Sequence, residues 1–405
     1  MFKPLAGMRV LDFSRVLAGP LCAQYLGDLG AEVIKVETVG DGDESRTWPP
    51  FHNGMATAYI TANRNKKSMA VNLKHPDAAE IVARLVRDCD IVVESAATGV
   101  SQRLGVDYDT LSAINDKLIY CTISGFGRTG PMKDARGYDM ILQAYSGMMS
   151  VTGDAASGAI RIPFSPIDQA TGYHAVIGVL SAVIERGRTG KGRFMEVSLY
   201  ETAASFLGFM VQAYLETGTL PQRSGSGHAG IAPYQAFECA DKPVLVGVAN
   251  DKLWRLFCAE FGRPELAEDP RFLRNRDRVL NQTEVVAIVQ DLVGALPAAE
   301  VLQKLLANGI PCAPINTFQD LLDDPQAIHR AMIQTITGDG FDGMKAVAMP
   351  ILFGGAERSI GTAPPKLGAH TAEIMAGLGY DAAAIERMQA DGAIGCLDTS
   401  AAAAS

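Results

Sequence analysis

The chain has 405 residues, of which 48% are hydrophobic and 20% are charged. A chain of this length and composition can bury a large core and is expected to form two domains. Its formal net charge of -9 at pH 7 gives no general attraction to nucleic acid or to an anionic membrane, so any polyanionic ligand must meet a local basic patch.

The cysteine and histidine spacing gives no sign of a disulfide framework or of a metal site. The seven cysteines are scattered without a Cys-x-x-Cys pair, and the N-terminal segment lacks the apolar core of a signal peptide. The six histidines never fall at metal-ligand spacing with one another or with a cysteine, so no metal is expected. Apolar runs such as residues 175–184 are shorter than the roughly 18 residues that a bilayer span needs. We therefore expect a cytoplasmic protein with no nucleic-acid and no membrane partner.

The first third of the chain alternates between strand and helix patterns. The predicted elements are strand Arg9–Phe13, helix 21–29, strand Glu32–Glu37, helix 77–89, and strands Ile91–Glu94 and 117–124. Such alternation favours a parallel sheet with helices on its faces. The sequence therefore predicts an α/β fold with a doubly wound sheet.

The second third contains a long connection and then a change of composition. A helix is predicted over 140–149, an apolar strand-like run over 162–167, a helix from about Asp168 to Ile184, a strand over 194–198 and a helix over 202–215. The Gly- and Ser-rich segment 222–230 marks a domain boundary. Beyond it, strand 244–248 and helices 251–261, 282–294 and 298–308 predict a smaller α/β unit, and further helices are predicted within 371–390.

Asp168 is the most informative single residue, because an apolar run delivers its carboxylate to the start of a long apolar helix. Asp is among the best helix N-caps, so capping alone could explain the residue. A carboxylate in this place can also serve as a nucleophile. The residue pattern leaves both roles open.

Three nucleotide and hydrolase motifs are incomplete in this chain. The turn after the first strand, residues 14–20, holds one glycine where a dinucleotide fold has Gly-x-Gly-x-x-Gly, and Glu37 alone is weak support for a ribose contact. In the glycine-rich turn 186–193, Gly192 stands where a P-loop needs Ser or Thr for magnesium. Ser226 is flanked directly by glycines and follows no predicted strand, so it does not form a nucleophile elbow.

A set of short segments in fixed order carries a clearer signal. They are residues 10–20, 30–37, 63–68, 124–131, 137–139, 167–172 and 189–192. In these segments the chain resembles the class III CoA-transferases, the family that contains formyl-CoA:oxalate and crotonobetaine/carnitine CoA-transferases. The resemblance runs from about residue 5 to 395.

The resemblance implies a large doubly wound, Rossmann-like domain built from both chain ends, a smaller α/β middle domain and an interlocked homodimer. On this basis residues 1–222 are the N-terminal part of a large CoA-binding domain, 223–325 a small domain with a glycine-rich loop at its start, 326–398 a return to the large domain, and 399–405 a flexible tail. No cofactor is expected to be bound permanently, since a coenzyme A thioester is the substrate.

The resemblance also assigns site residues. Asp168 matches the catalytic aspartate, and Tyr138 and Asp139 match positions that line the same cleft. The positions matched to coenzyme A contacts are Val16 and Leu17 beside the pantetheine, and Lys74, Arg103 and Arg136 near the nucleotide. Two departures put the adenine and phosphate contacts in doubt: Thr38 stands where the family often has Arg, and Ser95-Ala96 replace the usual Asn-Phe.

The segment Gly225–Gly230 matches a loop that closes over the reaction intermediates in the family, although a plain interdomain linker has the same composition. Its glycines Gly225, Gly227 and Gly230 allow close backbone approach. His228 could pair with the distal carboxylate of a substrate or could be a surface histidine. The following residues 231–237 resemble the subgroup that acts on succinyl-CoA and dicarboxylic acids such as glutarate.

The expected function is therefore a CoA-transferase that moves CoA from an acyl-CoA, succinyl-CoA above all, to a free dicarboxylic acid through aspartyl mixed-anhydride and aspartyl-CoA thioester intermediates. Oxalate, formate or carnitine-like acids are alternative substrates. The main alternative reaction is that of α-methylacyl-CoA racemase, an isomerase with the same fold. Its His-Asp pair would align with Tyr138-Asp139, and a tyrosine lacks the imidazole proton relay near neutral pH.

Overall fold

The computed structural model describes residues 2–336, 343–355, 358 and 360–397. The strands, numbered in chain order, are β1 (Arg9–Phe13), β2 (Glu32–Glu37), β3 (Phe51–His52), β4 (Met55–Ala56), β5 (Lys66–Val71), β6 (Ile91–Glu94), β7 (Ile119–Ser124), β8 (Arg193–Ser198), β9 (Tyr234–Phe237), β10 (Val244–Gly247), β11 (Cys312–Pro314), β12 (Ile333–Ile336), β13 (Met344–Val347) and β14 (Ile394–Gly395).

The α-helices are α1 (Ala18–Asp28), α2 (Thr57–Ala62), α3 (Ala78–Arg87), α4 (Val100–Arg103), α5 (Tyr108–Ser112), α6 (Asp139–Tyr145), α7 (Met148–Val151), α8 (Pro166–Thr189), α9 (Leu199–Phe206), α10 (Gly208–Thr217), α11 (Asp251–Glu260), α12 (Asn275–Leu280), α13 (Gln282–Gly294), α14 (Ala298–Ala307), α15 (Phe318–Asp323), α16 (Pro325–His329), α17 (Thr371–Gly377) and α18 (Ala382–Ala390). Short 3₁₀ helices span Glu44–Thr47 and Pro264–Ala267.

The largest sheet in the described part of the chain has the strand order β14-β5-β2-β1-β6-β7-β8. All of its neighbouring pairs are parallel except β14 with β5, which pair antiparallel. The chain moves outward from β1 through β2 to β5, then returns to β6 on the other side of β1. This order is that of a doubly wound sheet, with its switch point between β1 and β6. The predicted α/β class with a parallel sheet is confirmed.

The sheet is held by apolar strands that are buried on both faces. Leu11, Ile34 and Val92 in three adjacent strands are each at most 2% exposed and share one core cluster. Helix α3 packs there with Ile81, Val82, Leu85 and Val86, which recur on one side of the helix. Fully burying one such side chain stabilises the fold by roughly 1.5–3 kcal/mol before entropic costs.

Three element predictions differ from the structure. Strand β5 was not predicted as a strand; it begins with lysines, which hide its buried half in the sequence pattern. The helix predicted over 140–149 is two helices, because Gly147 adopts a left-handed φ of 90° between them. The helix predicted over 202–215 begins at Leu199 and is interrupted at Leu207.

The chain divides into two compact units. The first contains Met1–Ser146, Ile162–Gln212 and Ile328–Ser405, and the second contains Gly147–Arg161 and Ala213–Ala327. The longer segment of the second unit thus begins at Ala213, ten residues before the predicted boundary at 223. The shorter segment, Gly147–Arg161, lies in the part of the sequence that was assigned to the large domain. The predicted tail 399–405 lies outside the described residues.

The second unit has its own sheet and core. Its strands are ordered β11-β10-β9 and pair antiparallel. Trp254 and Phe257 of α11 and Val285 and Val289 of α13 are fully buried in one cluster with Leu305. In the described residues no single helix has both the length and the apolar composition of a membrane span; α13 and α14 meet these criteria only as a pair bent by 113°.

Candidate active site

A cavity of about 470 Å³ lies at the carboxyl ends of β1, β6 and β7. Its walls are the loops that follow these strands, residues 15–19, 95–98 and 123–128, together with residues 133–138, Glu44, Val100, Asp168 and Leu199. Ligands of doubly wound folds bind in the crevice at the switch point, which here is the gap between β1 and β6. The sheet topology thus places the cavity where a ligand is expected.

Asp168 reaches this cavity from the first turn of α8. The helix begins at Pro166, and its N-cap is Ser165, which has a φ of 53° and makes no side-chain capping bond. The hypothesis that Asp168 itself caps the helix is therefore wrong. A proline suits the first helical position, because that N–H has no acceptor in the helix and the ring fixes a helical φ.

The cap of α8 comes instead from Asp139, the first residue of α6. Its Oδ2 accepts the backbone N–H of Ile167 at 2.8 Å and that of Asp168 at 3.0 Å. Its Oδ1 accepts Nε2 of Gln143 at 2.5 Å, so both carboxylate oxygens are bonded and the residue is only 6% exposed. Asp139 therefore fixes the backbone that carries Asp168, from behind the cavity rather than in its wall.

Two glycines allow α6 to reach this position. A Cβ on Gly137 would lie 2.6 Å from Cα of Gly125 and 2.9 Å from Cδ2 of Leu142, and a Cβ on Gly125 would lie 2.7 Å from Cα of Gly137. The backbone after β7 therefore touches the backbone that enters α6. A side chain at either position would displace Asp139.

The Asp168 carboxyl is partly buried and faces a second carboxylate. Burial first, and then the negative charge of Asp139, raise its pKa from 3.8 to about 7. Near neutral pH the group is therefore poised between its acid and its carboxylate form. A raised pKa makes the ionised form a better nucleophile than an exposed aspartate.

The start of α1 faces the same cavity. Its N-cap Leu17 offers no capping side chain, and Ala18 and Gly19 line the cavity. The first N–H groups of a helix have no intrahelical acceptor, and the helix dipole makes this end positive. A Cβ on Gly172 would lie 2.8 Å from the backbone oxygen of Ala18, so α8 packs tightly on α1 just beyond Asp168. The arrangement places a carboxylate and N–H donors of the kind that can stabilise an oxyanion at the same cavity.

The family model described as CoA-transferase family III matches residues 5–371. The chain belongs to this family. A succinyl-CoA:glutarate CoA-transferase of Mus musculus is 37% identical over 97% of this chain and 90% of that protein. A succinate–glutarate CoA-transferase of Agrobacterium fabrum is 35% identical over 93% of this chain and 96% of that protein. The crystal structure of a CAIB/BAIF family protein from Brucella suis has a TM-score of 0.83 and 36% identity, and the match covers 93% of this chain and 100% of that chain.

This family III CoA-transferase brings together five of the twelve site residues that the sequence suggested. Val16, Leu17, Arg136, Tyr138 and Asp168 line the one cavity, and Asp139 stands behind it. The exposed Lys74 and Arg103 are not among the cavity-lining residues. Thr38 also lies outside the lining; its Oγ1 donates to the backbone oxygen of Gly42 at 3.2 Å.

Several lining residues of the transferase were not predicted. Arg15 and Lys133 are exposed cations in the cavity wall, and Arg128 is paired with the buried Glu94. Arg15 lies two residues after the end of β1, so the rule that parallel strands deliver ligand contacts at their carboxyl ends would have found it.

Ser95 and Ala96, which follow β6 and replace the Asn-Phe usual in the family, both form hydrogen bonds in the cavity wall. The Oγ of Ser95 accepts the backbone N–H of Arg15 at 3.0 Å, which ties the loop after β6 to the loop after β1. Ala96 donates its N–H to Oε2 of Glu94 at 2.8 Å and accepts Nη1 of Arg128 at 2.7 Å. Ser95 thus holds the cavity wall through its side-chain hydroxyl, and Ala96 holds it through its backbone.

Two further features are the backbone after Asp168 and the glycine loop. The N–H of Gln169 donates to the oxygen of Ser165 at 3.2 Å at the start of α8, so this donor is used within the helix. In the second unit, Gly225 donates to the oxygen of Gly153 at 2.9 Å, and His228 Nδ1 accepts the N–H of Gly230 at 3.0 Å. Gly227 lies between them, and its N–H donates to the oxygen of Ser224 at 2.8 Å. Loop 225–230 is therefore a bonded turn.

The described residues contain no group of three or more His, Cys, Asp or Glu side chains that could hold a metal ion.

Proposed function

We propose that this CoA-transferase moves CoA from succinyl-CoA to a dicarboxylic acid of the glutarate class. Two relatives that match nearly the whole chain carry succinyl-CoA or succinate and glutarate in their names. The observation that carries the chemistry is the partly buried Asp168 carboxylate, held in the cavity wall with its pKa raised to about 7 by burial and by Asp139.

In the proposed reaction an Asp168 oxygen attacks the thioester carbonyl carbon, and the CoA thiolate leaves. This step forms a mixed anhydride between Asp168 and the donor acid. The thiolate then attacks the aspartyl carbonyl, which releases the donor acid and leaves an aspartyl-CoA thioester. The acceptor carboxylate attacks that thioester, and the returning thiolate attacks the acceptor carbonyl of the new anhydride. The products are the new thioester and free Asp168.

Each addition to a carbonyl places negative charge on its oxygen. The N-terminal N–H groups of α1 at Ala18 and Gly19, which face the cavity, are the proposed donors to that oxygen. The cations Arg15, Lys133 and Arg136 in the cavity wall are the proposed partners of the coenzyme A phosphates. The roles of Lys74 and Arg103 at the nucleotide, and of loop 225–230 and His228 at the acid, remain predictions that rest on the family resemblance.

A panel experiment tests the proposal. Purified protein is incubated with succinyl-CoA and glutarate, malate, oxalate or an acetate control, and mass spectrometry follows the new acyl-CoA. Transfer to glutarate or malate is the expected result. Transfer to oxalate alone would assign the alternative acid class, and α-deuterium exchange without an acceptor acid would point to a racemase.

The covalent route has its own test. Asp168→Ala is expected to abolish transfer while circular dichroism shows an unchanged fold. Hydroxylamine added during turnover is expected to give a hydroxamate at Asp168, located by peptide mass spectrometry. Transfer at the wild-type rate in Asp168→Ala, or turnover with no modification of Asp168, would refute the aspartyl intermediates.

We also propose a cytoplasmic, interlocked homodimer. Within the first unit, large apolar side chains at the end of α9 and the start of α10 are exposed in the single chain, with Phe206 at 52% and Phe209 at 78%. Large exposed apolar side chains that lie near one another commonly mark an interface. Light scattering after gel filtration is expected to give twice the chain mass, and a monomer at micromolar concentration would contradict this assembly.

A further inference from the structure

The loop that follows β1 carries backbone strain at the cavity. Val16 has a φ of 70°, in the left-handed region that β-branched side chains rarely adopt. Val16 and its neighbours Arg15 and Leu17 all line the cavity. Strain of this kind persists only where the surroundings impose the conformation.

Buried charged side chains impose it here. Nζ of Lys35 donates to the backbone oxygen of Ser14 at 2.8 Å, and Oδ1 of Asp43 accepts the N–H of Val16 at 3.2 Å. Oδ1 of Asp12 accepts the N–H of Ser14 at 3.0 Å. The backbone on both sides of the strained peptide is therefore bonded to ionised groups.

These groups form one connected network. Lys35 Nζ lies 2.9 Å from Oδ2 of Asp43 and 3.9 Å from Oδ2 of Asp12, and Lys66 Nζ lies 2.8 Å from the same Asp12 oxygen. Asp12, Lys35 and Lys66 belong to strands β1, β2 and β5, and the solvent-exposed fraction of all four side chains is 0%. The network is therefore anchored in the large sheet of the first unit.

Stability alone is a poor explanation of such a network. Moving charges out of water is costly, and well-packed apolar residues often replace a buried ion pair without loss of stability. Apolar residues at positions 35 and 43 could not bond the backbone of Ser14 and Val16. What the charges supply, beyond their mutual attraction, is the geometry of the loop.

We infer that Lys35 and Asp43 are positioning residues for acyl-CoA: they hold loop 14–17 in the strained conformation that presents Val16 and Leu17 to the pantetheine arm. This inference rests on the proposed function, because it takes the cavity as the CoA site. Without the bonds from Lys35 and Asp43, loop 14–17 relaxes toward negative φ at Val16. The apparent affinity for CoA then falls in proportion to the fraction of molecules that keep the binding-competent conformation.

The test measures CoA binding by calorimetry and needs no acceptor acid. Lys35→Met removes the bond to the Ser14 oxygen and is expected to weaken CoA binding about tenfold, or about 1.4 kcal/mol. Val16→Gly removes a side chain that lines the cavity, so it serves as a second reference chain with its own affinity. In that chain Lys35→Met is expected to weaken CoA binding by about twofold or less, because glycine adopts positive φ without steric cost. A general loss of fold stability would be the same in both chains.

The matched control is Arg64→Met. Arg64 forms a largely buried ion pair with Asp28 at 2.6 Å in the same unit, and its bonds go to residues outside loop 14–17, so CoA binding is expected to stay within about twofold of wild type. Circular dichroism establishes folding first. If Lys35→Met does not fold, Asp43→Leu removes the acceptor of the Val16 N–H at a similar side-chain size, and it is expected to weaken CoA binding several-fold in the wild-type chain and much less in the Val16→Gly chain.

The outcomes separate the two proposals. Wild-type protein that binds no CoA would overturn the proposed site and the inference together. If wild type binds CoA and Lys35→Met binds it equally well, the positioning role alone is refuted. The same holds if Lys35→Met weakens CoA binding as much in the Val16→Gly chain as in the wild-type chain.

Discussion

Replacing Asp168 with asparagine should stop the reaction and stabilise the protein, by an amount that grows with pH. Burial and the Asp139 charge raise the pKa of Asp168 to about 7, whereas an aspartate in an unfolded chain titrates near 3.9. Between these values the folded protein binds a proton that the unfolded chain has lost. The contribution of Asp168 to stability is therefore most favourable below the unfolded pKa near 3.9. It is lost progressively as the pH rises from there through the folded pKa of about 7.

The size of the effect follows from the two pKa values. At 1.36 kcal/mol per pKa unit, the raised pKa of Asp168 lowers the free energy of unfolding by about 2 kcal/mol at pH 5.5 and by about 4 kcal/mol at pH 8, relative to a residue that does not titrate. The stability advantage of Asp168→Asn should thus grow by about 2 kcal/mol across this range. Urea denaturation at both pH values measures it, with Asp116→Asn as a control, because Asp116 is exposed and its loss changes the net charge equally. An advantage that does not change with pH would refute the raised pKa.

Three further results are expected. The kcat/KM for acyl-CoA should fall about tenfold per pH unit below pH 7, and Asp139→Asn should move that midpoint to lower pH because it removes the like charge; an unmoved midpoint would exclude Asp139 as a cause. Gly137→Ala should lower the free energy of unfolding, measured by thermal denaturation, by about 1–3 kcal/mol, because its Cβ would clash with the backbone of Gly125. The control Gly187→Ala lies in open space within α8 and should be neutral or stabilising. Equal melting temperatures for the two variants would contradict the close approach of Gly137 to Gly125. Arg136→Ala should raise the KM for acyl-CoA about tenfold, more at low than at high salt; a salt-independent KM would argue against a phosphate contact.

The large sheet could be predicted because its central strands are short apolar runs between helical patterns. Strands β1, β2 and β6 have the predicted bounds. Strand β5 was missed because Lys66 and Lys67 begin it, and only the structure shows that Lys66 is buried against Asp12. A buried charge is the case in which local hydrophobicity gives no warning.

The candidate site was predictable where a residue's place follows from the strand order, and not where it depends on a contact between distant segments. Val16, Leu17 and Asp168 stand in motifs that the sequence displays. The cap on α8 is formed by Asp139, 28 residues before Ile167, and no local pattern indicates which carboxylate will bond those N–H groups. The start of α8 was placed near Asp168 and lies at Pro166, although a proline after a serine is a recognisable first helical position.

Asp139 has two effects on Asp168: it caps the helix that carries Asp168, and its charge raises the pKa of the Asp168 carboxyl. An uncharged cap would satisfy the same two N–H groups, but it would remove the charge that helps to raise the pKa of Asp168. A carboxylate of ordinary acidity would be fully ionised at neutral pH and a weaker base toward a thioester carbon. With the pKa near 7, about half of the Asp168 carboxyl groups are ionised at neutral pH, and each ionised group is the stronger nucleophile. The raised pKa thus lowers the stability of the fold and raises the expected reaction rate. If this account is right, the stabilisation by Asp168→Asn at pH 8 should be smaller in an Asp139→Asn background, because the two carboxylates would no longer repel.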